Sequence, residues 1–511
     1  MVLVLFCLYL LSFGLIVINP GIYWDDWTLI NSNFSEIIEA FKQSGLSFFG
    51  HWHTLLLSVP QSILVYRSFI FLSYFLTGLF LLGILKKLKL TSRQIFLITA
   101  IFLLFPINSA RVALINSPSA LANLLFFFAF WLTTIFVKKK KLFLRLTALL
   151  CFYISFFINS IIIFYLVVIL YLFYTKKWQL KSLIMSYGDF LALPILYWFI
   201  QSKFFKTYGL YEGYHNIGFK SLVKSGLRTF ESFNTSFTEV IRQSFVETNL
   251  LFVGIGAIII FYFLYKSYKE VKKKAAYNTI YFLLGIILFY LAAFPYNVAG
   301  SGLLLSDWNS RNQLLLPLGA SFILYFGMEI ILNFLKLKPV IGYIFFSLLI
   351  SFFVFKNFQY NLIYFADWFK QLSLIENFKN NKVIQSNASF IIKDNCQMLN
   401  ANNREYRFYE YSGLFSFAFN DQKRFASLEE HFASKGPIVN YSDFFNSRYK
   451  LKDFMLVEPN IVISINCPGL ILLKTNFHKV IYSKYFNKPE FSNYISRLVS
   501  LDISQTHVNE K

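Results

Sequence analysis

Charge is what this sequence has least of. Only 14% of its 511 residues are Asp, Glu, Lys or Arg, against about a quarter in a soluble chain of this size. Acidic residues are the scarcest, 26 against 48 Lys and Arg. With 56% hydrophobic residues and a mean hydropathy of +0.53, these shortages exclude a soluble globular protein. The sequence also lacks zinc-ligand spacing, a nucleotide-binding glycine loop and a Gly-x-Ser-x-Gly elbow. Its first apolar run has neither a basic start nor a small-residue cleavage site before Asn19-Pro20, so the expectation is a retained helix. Within the apolar runs ionisable residues are almost absent, and Asp189 and Glu329 fall at their ends. A proton-coupled transporter would be expected to bury such groups at mid-membrane, so the lack counts against transport.

What is present is a series of apolar runs long enough to cross a bilayer, from residue 1 to 355. Much of the net charge of +22 sits in short lysine-rich clusters between these runs, around Lys86–Arg93, Lys138–Arg145, Lys176–Lys181, Lys266–Lys274 and Lys336–Lys338. Such clusters mark cytoplasmic loops, and the excess is no nucleic-acid signal. The expected fold class is a polytopic all-α membrane protein of about eleven transmembrane helices, followed by a small C-terminal extracytoplasmic α/β domain. The runs are 1–18, 62–85, 94–109, 117–137, 142–157, 159–174, 183–201, 248–265, 277–294, 312–335 and 340–355. Residues 1–355 form the membrane domain, with outer loops 19–61, 202–247 and 295–311, and 356–511 the tail domain. The N-terminus is expected inside and the C-terminus outside.

The chain is organised around Tyr23-Trp24-Asp25-Asp26-Trp27, directly after the first apolar run. Two carboxylates stand where a helix leaves the bilayer, between aromatic rings suited to the headgroup zone. Acids at such a place mark a site, or they open a polar loop and cap its first turn. Being adjacent, the two side chains diverge on any regular backbone, so one is expected to face a cavity and the other to cap, orient or bind metal.

Further along the same loop, residues 35–41 have helical apolar spacing. His51 and His53 would share one face only on an extended backbone, where with Asp25 or Asp26 they could build a nitrogen–oxygen metal site; otherwise they are solvated loop histidines. In 202–247, Phe219, Leu222, Val223, Leu227 and Phe230 follow a helical period, with Lys220, Lys224 and Arg228 stacked on another face. That face suits an anionic lipid headgroup, bound specifically or by general attraction. Asp307 and Arg311 are i,i+4 neighbours before run 312–335, and Arg111 lies between runs 94–109 and 117–137. Either arginine offers a planar fork suited to phosphate; the alternatives are a capping ion pair for Arg311 and a snorkelling anchor for Arg111. In the tail, "PNIVISIN" and "GLILLKTN" alternate, and the stretch near Ala426–Ala433 has helical spacing. Cys396 and Cys467 are the two tail cysteines, in a compartment that permits a disulfide.

Taken together, "YWDDW", "SDWNSRNQLLLPLG", the many helices and the tail resemble the GT-C superfamily of integral-membrane glycosyltransferases, in its bacterial O-antigen glucosyltransferase-type branch. The resemblance covers residues 1–355; the tail matches in position alone and carries no WWD-type motif, which removes a case for protein N-glycosylation. It implies a polyprenyl-phosphate sugar donor, a glycan or lipid-linked acceptor and membrane lipids as partners, with no nucleic acid. It places the chain in the bacterial cytoplasmic membrane and makes Asp25 the base. Arg311 is then expected at the donor phosphate in the outer cavity of Asp25 and Asp26, with Arg111, Lys220, Lys224 and Arg228 as further candidates. No cofactor is certain; a divalent metal at Asp25 and Asp26 is the open one. Rival readings are an O-antigen polymerase or ligase, whose large domain typically lies between helices, and a lipid-linked glycan flippase, which would want a polar passage.

Overall fold

The computed structural model describes residues 1–88, 90–212, 219–246, 248–267, 275–300, 302–303, 308–428 and 459–505. Helices dominate. They are α1 (Val2–Ile18), α2 (Asp26–Asn31), α3 (Phe34–Gln43), α4 (Ser47–Leu57), α5 (Ser62–Leu85), α6 (Ser92–Leu104), α7 (Ser117–Lys139), α8 (Leu142–Ser155), α9 (Ser160–Phe164), α10 (Leu166–Thr175) and α11 (Leu180–Phe204). There follow α12 (Phe219–Phe233), α13 (Glu239–Phe245), α14 (Leu250–Ser267), α15 (Ala275–Val298), α16 (Leu316–Phe334), α17 (Pro339–Lys379), α18 (Lys382–Ser386), α19 (Phe408–Phe419), α20 (Leu470–Phe486) and α21 (Lys488–Ser496). Four strands complete the described set: β1 (Ser389–Asp394), β2 (Phe425–Leu428), β3 (Ile461–Asn466) and β4 (Ser500–Gln505).

Among the described residues, 7 helices are long and apolar enough to cross a membrane: α5, α7, α11, α14, α15, α16 and α17. The run expected over 159–174 breaks into α9 and α10, and that over 94–109 ends at Leu104. The last run was expected to stop at 355, yet α17 runs on to Lys379 and is 41 residues long in all, about 60 Å at 1.5 Å per residue. That is about twice the hydrocarbon thickness of a bilayer, and its second half is correspondingly polar. The loop expected over 19–61 is helical too, in α2, α3 and α4.

The chain divides into two compact units, residues 1–18 with 38–360, and residues 19–37 with 361–511. The first is a helical body. Its tightest pairing is α15 on α16, where a side chain at Gly319 would come within 2.4 Å of the Phe289 amide nitrogen. Only glycine permits that approach, as small residues do at helix contacts in membranes. Polar side chains in these helices find partners within the body: Asn357 donates to the Leu104 carbonyl at 2.7 Å, and Ser351 to that of Val253 at 2.8 Å. Arg93 pairs with Glu329 at 3.2 Å, and Arg145 grips Asp189 with two nitrogens. Both acids at the ends of apolar runs are thus neutralised by arginine, as low-dielectric surroundings require.

The second unit holds a sheet of order β2-β1-β3-β4, parallel except for β4, which runs antiparallel to β3. "PNIVISIN" becomes β3, with every second residue buried. "GLILLKTN" does not extend the sheet: Leu470 opens α20. The helix expected near Ala426 is likewise corrected, since Phe425–Leu428 is strand β2; residues 429–433 lie outside the described residues. The β1–β3 register pairs Ile391 with Val462, and Cys396 and Cys467 continue the same offset of 71 beyond the strand ends. Their Cα atoms are 5.7 Å apart and the two are joined as a disulfide.

Candidate active site

The acidic turn belongs to the second unit, not to the helical body its sequence position suggests. It is built from the chain outward. Asn19 Oδ1 accepts from the Gly21 amide at 2.8 Å, and the Tyr23 hydroxyl donates to the Tyr364 carbonyl at 2.6 Å. The Gln371 side chain then takes both backbone groups of Ile22, accepting from N at 3.1 Å and donating to O at 2.8 Å. Trp24 adopts φ of +50°, a left-handed conformation unfavourable for a bulky residue. Its amide donates to Glu410 Oε2 at 3.2 Å, a contact that stabilises the strained residue. Tyr23, Trp24 and Trp27 are all buried, so the rings expected in the headgroup zone instead form a core. Trp27 packs on α19 so closely that a side chain at Gly413 would lie 2.4 Å from its ring.

Beneath this turn lies a buried ionic network. Arg404 pairs with Glu410 at 2.6 Å and Asp367 at 3.6 Å, between the rings of Trp24 at 5.0 Å and Tyr406 at 4.7 Å. Burial opposes its charge, but Glu410 and Asp367 more than offset this and hold the guanidinium protonated. Asp367 also accepts from the Ala401 amide at 2.7 Å, from Gln371 at 2.9 Å and from the Tyr406 hydroxyl. A second cluster centres on Lys370, whose ammonium donates to Asp394 at 2.6 Å, Asn400 at 2.7 Å and the Cys396 carbonyl at 3.1 Å. Burial pushes the Asp394 carboxyl up, yet Lys370, Tyr411 and the Cys396 amide bring it below the usual carboxylate range.

On this foundation the two aspartates divide. Asp26 is wholly buried in the first turn of α2. Asp25, just before it, is partly exposed and accepts the Tyr409 hydroxyl on Oδ1 at 2.8 Å. Burial, followed by the charges of Asp25 and Glu410, raises the Tyr409 phenol above its ordinary value, so it remains a donor. Among the described residues Asp25 Oδ2 takes no hydrogen bond. The arrangement is a carboxylate held by one oxygen and open at the other, a geometry suited to receiving a proton.

The other expected residues fall elsewhere. His51 and His53 sit on α4, not on an extended backbone, and their rings diverge. His51 is exposed; His53 is buried, with Nδ1 2.9 Å from the Tyr66 hydroxyl and its ring stacked on Phe41. Burial lowers its pKa to about 3, so the ring is neutral. Among the described residues no group of three or more His, Cys, Asp or Glu is gathered to hold a metal ion. Arg111 is buried, giving Nε and an NH2 group to the carbonyls of Asn108 and Ile107, each at 3.1 Å, between the rings of Phe13 and Tyr74. That is an anchoring role rather than an open phosphate fork. Arg311 lies over Trp308 at 3.9 Å in a short turn, and its neighbour Ser310 accepts from the Ala110 amide at 2.9 Å. The turns bearing Arg111 and Arg311 are therefore packed together in the first unit. Lys224 and Arg228 are exposed on α12. Asp307 lies outside the described residues, as does the Lys220 side chain.

Tyr409, Glu410, Arg404, Asp367 and Gln371 were not singled out in the sequence. A usable signal existed in Asp367, Lys370 and Gln371, at i, i+3 and i+4 on one helix face. Another was the dense charged and aromatic run 402–411. No protein-family model matches this chain, and no curated protein matches it.

Proposed function

We propose that this chain is a membrane glycosyltransferase that moves a sugar from a polyprenyl-phosphate carrier to a hydroxyl of a glycan or lipid acceptor, with Asp25 as general base. The observation that carries the reading is the division within the pair: Asp26 buried, Asp25 partly exposed and fixed by Tyr409 with one oxygen open. The acceptor O–H proton passes to Asp25, and the oxygen lone pair forms the new bond to the anomeric carbon. The bond from that carbon to the phosphate oxygen breaks, releasing polyprenyl phosphate and inverting the centre in a single displacement. A leaving phosphate gains charge and needs a cationic partner. The membrane setting follows from the apolar helices; eleven crossings with the N-terminus inside would put the reaction on the outer face.

The test is transfer itself. Protein purified into lipid vesicles is given a panel of polyprenyl-phosphate sugars with a membrane-lipid extract as acceptor. The expected result is consumption of one donor and a new glycoside of inverted configuration. Translocation of a lipid-linked glycan across the vesicle with no new glycosidic bond would mark a transporter instead.

A further inference from the structure

Helix α12 sits in the body the wrong way round for a soluble protein. Its exposed stripe is apolar: Val223 is 65% exposed, Leu227 75% and Phe230 70%. Its buried stripe is polar, made of Ser225, Thr229 and Ser232. That polar stripe is what fixes the helix to α15. Asn297 donates to Thr229 at 3.1 Å and to Ser232 at 2.9 Å, a satisfied buried cluster. At 100° per residue the apolar and buried stripes are nearly opposite, and Lys224 and Arg228, both exposed, lie on the flank between them. At 15 residues, about 22 Å, the helix is too short and too polar to cross a bilayer.

Its apolar face is continuous with a surface that lipid must cover. α15 is apolar enough to span, and it exposes Ile280, Leu283 and Ile287. Phe230 packs on Tyr290 of that helix at 5.5 Å. Between them runs an apolar groove of about 360 Å³ lined by Gly226, Ile287, Leu291 and Phe294. An apolar face flanked by cations is the pattern of a helix lying in the headgroup layer.

We propose that α12 is an in-plane membrane helix, held to the body by its Ser/Thr stripe, that beds Val223, Leu227 and Phe230 in the bilayer and binds anionic phospholipid headgroups through Lys224 and Arg228. This assigns the two basic residues to the surrounding bilayer and not to a sugar donor, and it stands whether or not the chain transfers sugar.

The full chain is reconstituted in nanodiscs with Cys7 replaced by Ser and one nitroxide at position 223, 225 or 227. Positions 223 and 227 should be reached by oxygen and shielded from a water-soluble nickel chelate, and position 225 shielded from both. A label at 227 that the chelate reaches freely, or that neither reagent reaches, would overturn the proposal, since the face would be in water or under protein. With trace spin-labelled phosphatidylglycerol or phosphatidylcholine in neutral nanodiscs, the label at 227 should be broadened preferentially by the anionic lipid. Lys224→Gln with Arg228→Gln should reduce that preference at least fivefold, the worth of roughly one charge at such a surface. Equal broadening by both lipids would refute the headgroup assignment. So would displacement of phosphatidylglycerol by trace polyprenyl phosphate, which would return the patch to the carrier lipid.

Discussion

Replacing Arg404 by Met tests whether the acidic turn is held by the ionic network beneath it. The side chain is 4% exposed, and both its carboxylate partners, Glu410 and Asp367, are fully buried. Removing one member of a buried pair leaves the others uncompensated and costs about 3–5 kcal/mol. Asp367 keeps the Ala401 amide, Gln371 and Tyr406 as donors, whereas among the described residues Glu410 keeps the amide of Trp24 and that of Arg407, which donates to Oε1 at 3.1 Å. The loss should therefore fall mainly on Glu410 and sit near the low end, about 3 kcal/mol. For a unit of this size each kcal/mol lowers Tm by about 2–4 °C, so a fall of roughly 6–12 °C is expected. Thermal unfolding of the purified protein, followed by tryptophan fluorescence, reads this directly because Trp24 and Trp27 lie in the affected core. A double change, Arg404→Met with Glu410→Leu, removes the orphaned carboxylate and should recover part of the loss. The reasoning is refuted if Arg404→Met melts within a degree of wild type, or if the double variant is no more stable than the single one.

Other predictions follow from the same geometry. Tyr409→Phe removes one hydrogen bond to a charged acceptor, worth about 1.5–3 kcal/mol, so Tm should fall by roughly 3–12 °C, and turnover by the folded fraction should fall as well because Asp25 loses the contact that orients it. His53 titrates near 6.5 when unfolded and at about 3 when folded, so its contribution is complete above 6.5 and is lost as pH falls from there towards 3. Acid unfolding monitored between those values should be milder in His53→Phe. Cys396→Ser with Cys467→Ser opens a loop of 71 residues and should lower stability by about 4 kcal/mol in the chain-entropy description. Equal melting of oxidised and reduced wild-type protein would count against that.

Much of the helical body was legible because apolar length is a strong local signal: the run 62–85 matches α5 end to end. The strand in "PNIVISIN" was legible for the same reason, alternation with a period of two. What stayed hidden was tertiary. Composition ends the last run at 355, but α17 continues because Asp367, Lys370 and Gln371 find buried partners that sequence does not display. The "GLILLKTN" stretch alternates too weakly to exclude a helix, and α20 forms. The sequence leaves the backbone of His51-Trp52-His53 open between an extended metal site and a solvated loop, and helix α4 with its buried His53 is neither. At the site, the acidic pair announced itself by position. Its supports did not, because Tyr409 lies 384 residues from Asp25 and Glu410 lies 386 from Trp24. No periodicity links residues so distant.

The central claim is that Asp25, not Asp26, takes the acceptor proton, and sugar transfer by the two single asparagine variants tests it most directly. Asp25→Asn keeps the shape and the Tyr409 contact but removes the basic oxygen, and loss of general-base assistance costs about 100- to 10,000-fold. Turnover should fall by that factor with membrane insertion and Tm preserved. Asp26→Asn alters a wholly buried carboxylate, so it should act through Tm, with a smaller effect on transfer by the folded fraction. Wild-type turnover in both variants would contradict the account and leave the acidic pair a structural feature of the turn.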